Sequence, residues 1–210
     1  MSTDTDPYLI DRWLQSPWIE GVAVLIDPLC SKAQMDALIK TLYPKGDELV
    51  VVETFRGRGE FLDFRGVDLS GMNLRKVVFA HCDLSKGKFL EADLVGAIFT
   101  VARLEDASFA GIVATEQIVF EECFARGADF AGVQLVDTYF WGAELVDSNF
   151  AGSVLDSCNF GNARLQNARF NGARMINCNV QGAHFSKNER DADWFKQSTF
   201  RESESIVWVS

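Results

Sequence analysis

The chain has 210 residues, enough for one or two domains, and its composition excludes several classes of protein. Apolar residues make up 48% of it, too many for a disordered chain, yet no apolar run reaches the ~18 residues of a membrane span. The formal net charge of −10 argues against direct binding of nucleic acid, which requires basic surface. Because residues 1–7 are acidic where a secretion signal would be basic, we expect a cytoplasmic protein.

The first sixty residues predict a small α/β module. Asp6 and Pro7 can begin a short helix, and Ser31 can cap a second helix that ends before Pro44. Residues 48–55 are rich in valine and predict a strand. None of these segments shares the periodicity of the chain that follows, so we assign residues 1–60 to a separate unit.

From Phe61 to Phe185 a large apolar residue returns at every fifth position, with one extra residue between Ala114 and Phe120. Of the 25 positions in this series, 12 are Phe and 9 are Leu. A period of five fits neither a strand, with a period of two, nor a helix, with a period of 3.6. A short fixed period with one buried residue per unit is typical of a solenoid, in which each unit packs on its neighbours.

Individual units carry a recognisable motif. Ala92-Asp93-Leu94-Val95-Gly96 and Ala128-Asp129-Phe130-Ala131-Gly132 resemble the A(D/N)LXX unit of the pentapeptide-repeat family. The resemblance implies an all-β solenoid, a right-handed quadrilateral β-helix with four pentapeptides per coil, whose central residue and preceding small residue point inward. We interpret the extra residue, at positions 115–119, as a bulge or widened corner.

Sorting the repeat by fours places residues of the same type on the same side of the rod. Phe130 then belongs to one column of Phe, and Phe120 and Phe140 belong to the column on the opposite side. Within a column, successive residues are expected about 4.8 Å apart, the spacing of neighbouring strands. The sequence therefore predicts two ladders of stacked Phe in the core.

Both ends of the predicted solenoid, residues 61–187, need protection, because an open end exposes core and unpaired strand edge. We expect residues 1–60 to cap the first end, with a separate recognition module as the alternative. Residues 188–210 are expected to close the other end through Trp194, Phe195 and Phe200. The tail at 205–209 predicts a strand, and the family resemblance implies that this end can form a homodimer.

The residues that usually carry catalysis are scarce. Four cysteines occupy small inward positions and are interpreted as reduced core thiols, with a disulfide between Cys158 and Cys178 as the alternative. The two histidines, His81 and His184, face outward many coils apart, and no metal-ligand spacing, phosphate loop or nucleophile motif is present. We therefore predict a protein that is not an enzyme and uses no cofactor or metal.

One side of the rod carries apolar residues outside as well as inside. Val78, Ile98, Val119 and Tyr139 each precede an inward Phe of the same column, and Trp141 lies close by. A continuous apolar strip on a soluble rod usually marks a docking surface, so these five residues are the predicted protein-interaction site. The alternative is that the N-terminal module or the tail lies across this strip.

The middle of the rod is acidic, with 12 acidic residues and two basic ones between positions 91 and 156. From this region we name an acidic belt, Glu121, Glu122, Asp129 and Glu144. Relatives that confer quinolone resistance imitate a DNA duplex and bind type II topoisomerase, so DNA gyrase is one candidate partner. The N-terminal module and flanking basic residues do not fit that picture. The leading interpretation is a non-enzymatic module that binds another protein, whose identity the sequence does not give.

Overall fold

The computed structural model describes residues 62–203 and 205–209, which form a β-solenoid of about five turns with almost no helix. The predicted all-β solenoid is therefore confirmed. The predicted N-terminal α/β module lies outside the described residues, so its capping role stays a prediction.

The strands are only two or three residues long, because each side of a coil is one pentapeptide wide. In chain order they are β1 (Leu62–Asp63), β2 (Cys82–Asp83), β3 (Val113–Ala114), β4 (Gln134–Val136), β5 (Val154–Asp156), β6 (Arg164–Leu165), β7 (Arg174–Ile176), β8 (Cys178–Asn179), β9 (His184–Ser186), β10 (Phe200–Glu202) and β11 (Val207–Val209). A 3-10 helix (Lys187–Asp191) and a one-turn helix α1 (Asp193–Lys196) separate β9 from β10. All pairing is parallel, in the sheets β3-β4-β5-β7, β6-β9-β11, β1-β2 and β8-β10.

The coils are in register throughout, and the extra residue does not interrupt the pairing. Val78 pairs with Ile98, Ile98 with Val119, and Val119 with Tyr139, so the offset is 20 residues except across the insertion, where it is 21. Residues 115–117 are exposed at the corner that follows β3. The predicted widened corner is confirmed, because the ladder continues on both sides of it.

The rod has four faces, each defined by one column of inward residues that is buried along its length. The columns are Phe79, Phe99, Phe120, Phe140 and Phe160 for the first face; Leu84, Leu104, Ala125, Leu145 and Leu165 for the second; Phe89, Phe109, Phe130, Phe150 and Phe170 for the third; and Leu94, Ala114, Leu135, Leu155 and Met175 for the fourth.

The two Phe columns meet in the centre of the rod. Within a column, neighbouring rings stack with centroids 4.6 to 5.3 Å apart and planes within 18° of parallel. Between the columns, rings meet edge to face at 5.3 to 6.4 Å. Both arrangements are favourable for aromatic rings, and the predicted ladders are confirmed.

Where the residue before a central residue is Asp or Asn, its side chain shapes the corner that follows. The Asp129 carboxylate accepts a hydrogen bond from the Ala131 backbone N–H at 3.1 Å, and the Asn149 side chain accepts one from the Ala151 N–H at 3.2 Å. This is the Asx turn that asparagine and aspartate form readily. Some acidic side chains of the repeat therefore already accept hydrogen bonds from the backbone of their own coil.

The second residue of most corners has a left-handed backbone, where glycine and asparagine are usual. Thirteen non-glycine residues in the described part of the chain adopt this conformation, and Val101, with φ of 57°, is the only β-branched one among them. A β-branched side chain is unusual in that region, and such strain costs on the order of 1 to 3 kcal/mol.

The C-terminal end of the rod is closed by its own chain. The Trp194 ring of α1 stacks on Phe170 at 4.4 Å and is buried, and its Nε1–H donates to Glu189. The predicted tail strand is confirmed as β11, which pairs with β9 on the second face. The homodimer through this end stays a prediction.

Phe130→Ala tests the ladder, because Phe130 stacks on Phe109 at 5.0 Å and on Phe150 at 4.9 Å. The rungs on either side hold these neighbours apart, so we expect a cavity and a loss of about 3 to 5 kcal/mol in the free energy of unfolding, measured by urea denaturation. Phe124→Ala is the matched control, since Phe124 is 40% exposed and should cost roughly 1 kcal/mol. Equal losses for the two variants would contradict the ladder.

Candidate protein-interaction surface

The predicted apolar strip is a continuous structural feature. Val78, Ile98, Val119 and Tyr139 occupy successive rungs of one parallel ladder on the first face, and Asn159 continues the ladder. All four apolar residues are half-buried and follow one another at successive coils along the rod. The structure therefore brings together four of the five residues predicted for the site within a single column. The described part of the tail does not cross them, because β10 pairs with β8 and β11 with β9.

Trp141, the fifth predicted residue, lies at the corner between the first and second faces and is 42% exposed. Its indole ring lies against Gly161 in the next coil, where an added Cβ would be only 3.0 Å from the Trp141 Cδ1 atom. Gly161 has no positive φ, so crowding explains why this position lacks a side chain: an added Cβ would meet both the Trp141 indole and, at 3.1 Å, the Asn159 Oδ1 atom. The contact holds the ring in place on the surface.

The acidic belt is split between two parts of the surface. Glu121 and Glu122 lie at the same corner as Trp141, and Glu144 lies beside them on the second face, whereas Asp129 lies on the third face. Glu144 forms an ion pair with Arg164 at 3.4 Å. Asp129 accepts a hydrogen bond from the Asn149 side chain at 2.8 Å.

Sequence reasoning missed three exposed apolar residues. Phe124 is 40% exposed on the second face, in a column that otherwise carries charged residues such as Arg103 and Glu144. Val113 is 57% exposed on the fourth face, and Leu90 is 50% exposed at the corner between the third and fourth faces. The signal for Phe124 was present in the sequence, because an aromatic residue interrupts a polar column there.

Phe124 and Trp141 complete an alternating arrangement with their acidic neighbours. In one coil Glu121 precedes Phe124 by three residues, and in the next coil Trp141 precedes Glu144 by three. Phe124 pairs with Glu144 of the next coil. Trp141 lies one coil beyond Glu121 at the same corner. Aromatic and acidic side chains therefore alternate in both directions. We call this set the aromatic–acidic corner: Glu121, Glu122, Phe124, Trp141 and Glu144.

The described cysteines are free and buried. The Cys158 thiol donates to the Leu135 carbonyl at 3.6 Å, and the Cys178 thiol donates to the Leu155 carbonyl at 3.3 Å. Burial, with a smaller contribution from the nearby Asp83 carboxylate, raises the pKa of the Cys82 thiol to about 12, so this thiol is protonated at neutral pH. These groups behave as core residues, as predicted.

The described residues contain no group of histidine, cysteine or acidic side chains arranged to hold a metal ion. Over residues 62–203 and 205–209, no helix has the length and apolar character needed to span a bilayer. His81 and His184 lie in distant coils, at a corner and on β9 respectively.

Known structures of the same architecture resemble this rod. A trypsin-treated variant of QnrB1, a plasmid-mediated fluoroquinolone resistance protein, is 27% identical, with a TM-score of 0.55, over 71% of this chain and 74% of that chain. HetL, a pentapeptide repeat protein involved in heterocyst differentiation regulation from the cyanobacterium Nostoc sp. strain PCC 7120, is 17% identical, with a TM-score of 0.30, over 70% of this chain and 75% of that chain.

Among curated proteins, no sequence matches this chain at a significant level. The family described as pentapeptide repeats matches in eight copies, at residues 63–100, 117–152, 134–172 and 153–187, which together cover just over half of the 210 residues. With its repeat, its four-sided coils and its similarity to solved members, the chain belongs to the pentapeptide-repeat family.

Proposed function

We propose that this protein is a non-enzymatic interaction module, a rigid rod that binds another cytoplasmic protein through the apolar strip of its first face. The observation that carries the proposal is the run of four apolar rungs, Val78, Ile98, Val119 and Tyr139, on one ladder. Continuous apolar surface on a soluble protein is typical of a docking site, because water is displaced from it on binding.

The other faces support the choice of this strip. On the fourth face, Gln134 separates Val113 from Val154, and Arg174 ends the run. On the second face, Phe124 lies between Arg103 and Glu144. Neither face offers more than one apolar rung in succession, so neither offers a comparable continuous surface.

Two features beside the strip are also easier to explain by binding than by folding. Val101, at the corner next to the first face, keeps an apolar β-branched side chain in a left-handed conformation that an asparagine or glycine would adopt at lower cost. Trp141 is held partly exposed by its contact with Gly161. Strained backbone and exposed aromatic residues are both common at recognition sites.

The core supports the proposal through rigidity. Backbone hydrogen bonds between successive coils fix the coil spacing, and stacked rings fill the interior, so the spacing of the outward residues is fixed as well. A surface that is already ordered loses little conformational entropy when a partner binds. This rod is therefore suited to present a flat apolar face without rearrangement.

Ile98→Asp combined with Tyr139→Asp should abolish capture of the partner by the immobilised protein, because two carboxylates would have to be desolvated at the interface. The Tm should change by no more than about 2 °C, since these side chains are outside the core. The matched control is Val113→Asp with Val154→Asp, which places the same charges on the fourth face and should leave capture unchanged.

A normal Tm with undiminished capture by the Ile98 and Tyr139 variant would contradict the proposal. A large fall in the Tm would also contradict the proposal, because it would indicate that residues 1–60 cover the strip and that no partner binds there. In that case the two carboxylates would be buried without partners, which destabilises a fold strongly.

We propose, as a second candidate function, that the protein binds type II topoisomerase. Its support is the similarity to QnrB1, together with the acidic middle of the rod. The division of the belt weakens this candidate, because Asp129 and Glu144 are already engaged by Asn149 and Arg164. Glu121 and Glu122 remain as the carboxylates that a basic DNA-binding surface could contact.

This candidate predicts that the purified protein inhibits supercoiling by DNA gyrase. Changing Glu121, Glu122, Asp129 and Glu144 to Lys should remove the inhibition, because the altered surface would repel a site built for phosphates. Absence of inhibition with the wild-type protein in large excess over the enzyme would rule the candidate out.

A further inference from the structure

We propose that the aromatic–acidic corner binds an arginine side chain of the partner protein. This inference rests on the proposed function. If a partner protein binds the apolar strip, the part of it that extends onto the second face would carry this arginine. Arginine fits because its planar cation can stack on an aromatic ring while its N–H groups donate to carboxylates.

Trp141 provides the aromatic surface. Its ring lies against Gly161 and is held there, yet 42% of the residue is exposed. An indole is the best side chain for binding a cation on its face, and a fixed ring needs no reordering when the cation arrives. Phe124, 40% exposed, presents a second ring in the preceding coil.

Glu121 and Glu122 provide the charge. The Glu122 backbone N–H donates to the Trp141 carbonyl at 2.9 Å, which places the two corners directly on top of each other. The Glu122 Cγ atom would lie 3.4 Å from a Cβ added to Gly142, so its side chain runs beside the residue that follows Trp141. Among the described residues, neither Glu121 nor Glu122 has an ion-pair partner.

Glu144 already binds an arginine of its own chain. Its carboxylate contacts the Arg164 guanidinium at 3.4 Å in the neighbouring coil of the second face. The partner's arginine would therefore bind between Trp141 and the Glu121–Glu122 pair. Because the apolar strip that ends at Tyr139 adjoins this corner, we expect apolar residues next to that arginine in the partner segment.

The experiment is an NMR titration of the labelled full-length protein with N-acetylarginine amide, following the backbone amides of residues 121–124 and 141–144. We expect saturable shifts at these residues, with a Kd in the range of about 1 to 30 mM for a single side chain. Trp141→Ala and the double variant Glu121→Gln with Glu122→Gln should each weaken binding at least about fivefold. Leu90→Ala, which changes an exposed apolar residue at a different corner, should leave it unchanged.

N-acetylcitrulline amide has nearly the same shape without the charge, and it should bind at least about tenfold more weakly. Equal shifts with the two ligands would overturn the proposal, as would a lack of saturable shifts up to about 100 mM arginine derivative. This result is separable from the proposed function. Capture that depends on Ile98 and Tyr139 but shows no arginine binding would overturn only the arginine site, whereas arginine binding without such dependence would overturn only the strip.

Discussion

The edge-to-face contact between two opposing columns of phenylalanine rings is the interaction on which this rod depends. Phe120, for example, stacks on Phe99 and Phe140 in its own column and meets Phe109 and Phe130 edge-on. Each ring is thus packed in two directions at once, while backbone hydrogen bonds between the coils set the distance between them. A solenoid unit cannot bury its core alone, so the continuity of these columns replaces the single hydrophobic core of a globular domain.

Because the inward residues are committed to the core, function is left to the outward and corner positions. Many of these are also constrained: Asp129 and Asn149 bind the backbone of their own corners, and Arg126 pairs with Asp147 at 2.8 Å. Several carboxylates of the rod are therefore already engaged within the chain. Among the described residues, Trp141, Glu121 and Glu122 make no ion pair and lie together at the corner between the first and second faces.

The fold could be predicted from the sequence because its period is short and regular. The Phe columns and the widened corner follow from spacing, the rungs from Val78 to Tyr139 follow from the same arithmetic, and the tail strand follows from its apolar residues. The candidate site could be predicted less completely from the sequence. The acidic belt divides between faces because each face is one pentapeptide wide: Asp129, further along the coil from Glu122, already lies on the third face, whereas Glu144 lies beside Glu121 and Glu122 in the next coil. The contact of Trp141 with Gly161 joins different coils through a side-chain conformation, which no periodicity encodes.

Site-specific photo-crosslinking in the native cell tests most directly the claim that the first face is the binding surface. Tyr139 and Val113 are replaced singly by p-benzoylphenylalanine. Tyr139 is a half-buried residue of the strip, whereas Val113, on the fourth face, is 57% exposed, the most of any large apolar residue in the described part of the chain. We expect a discrete crosslinked product from position 139 and none from position 113. Crosslinking that follows exposure, with the product at position 113 and none at 139, would contradict it.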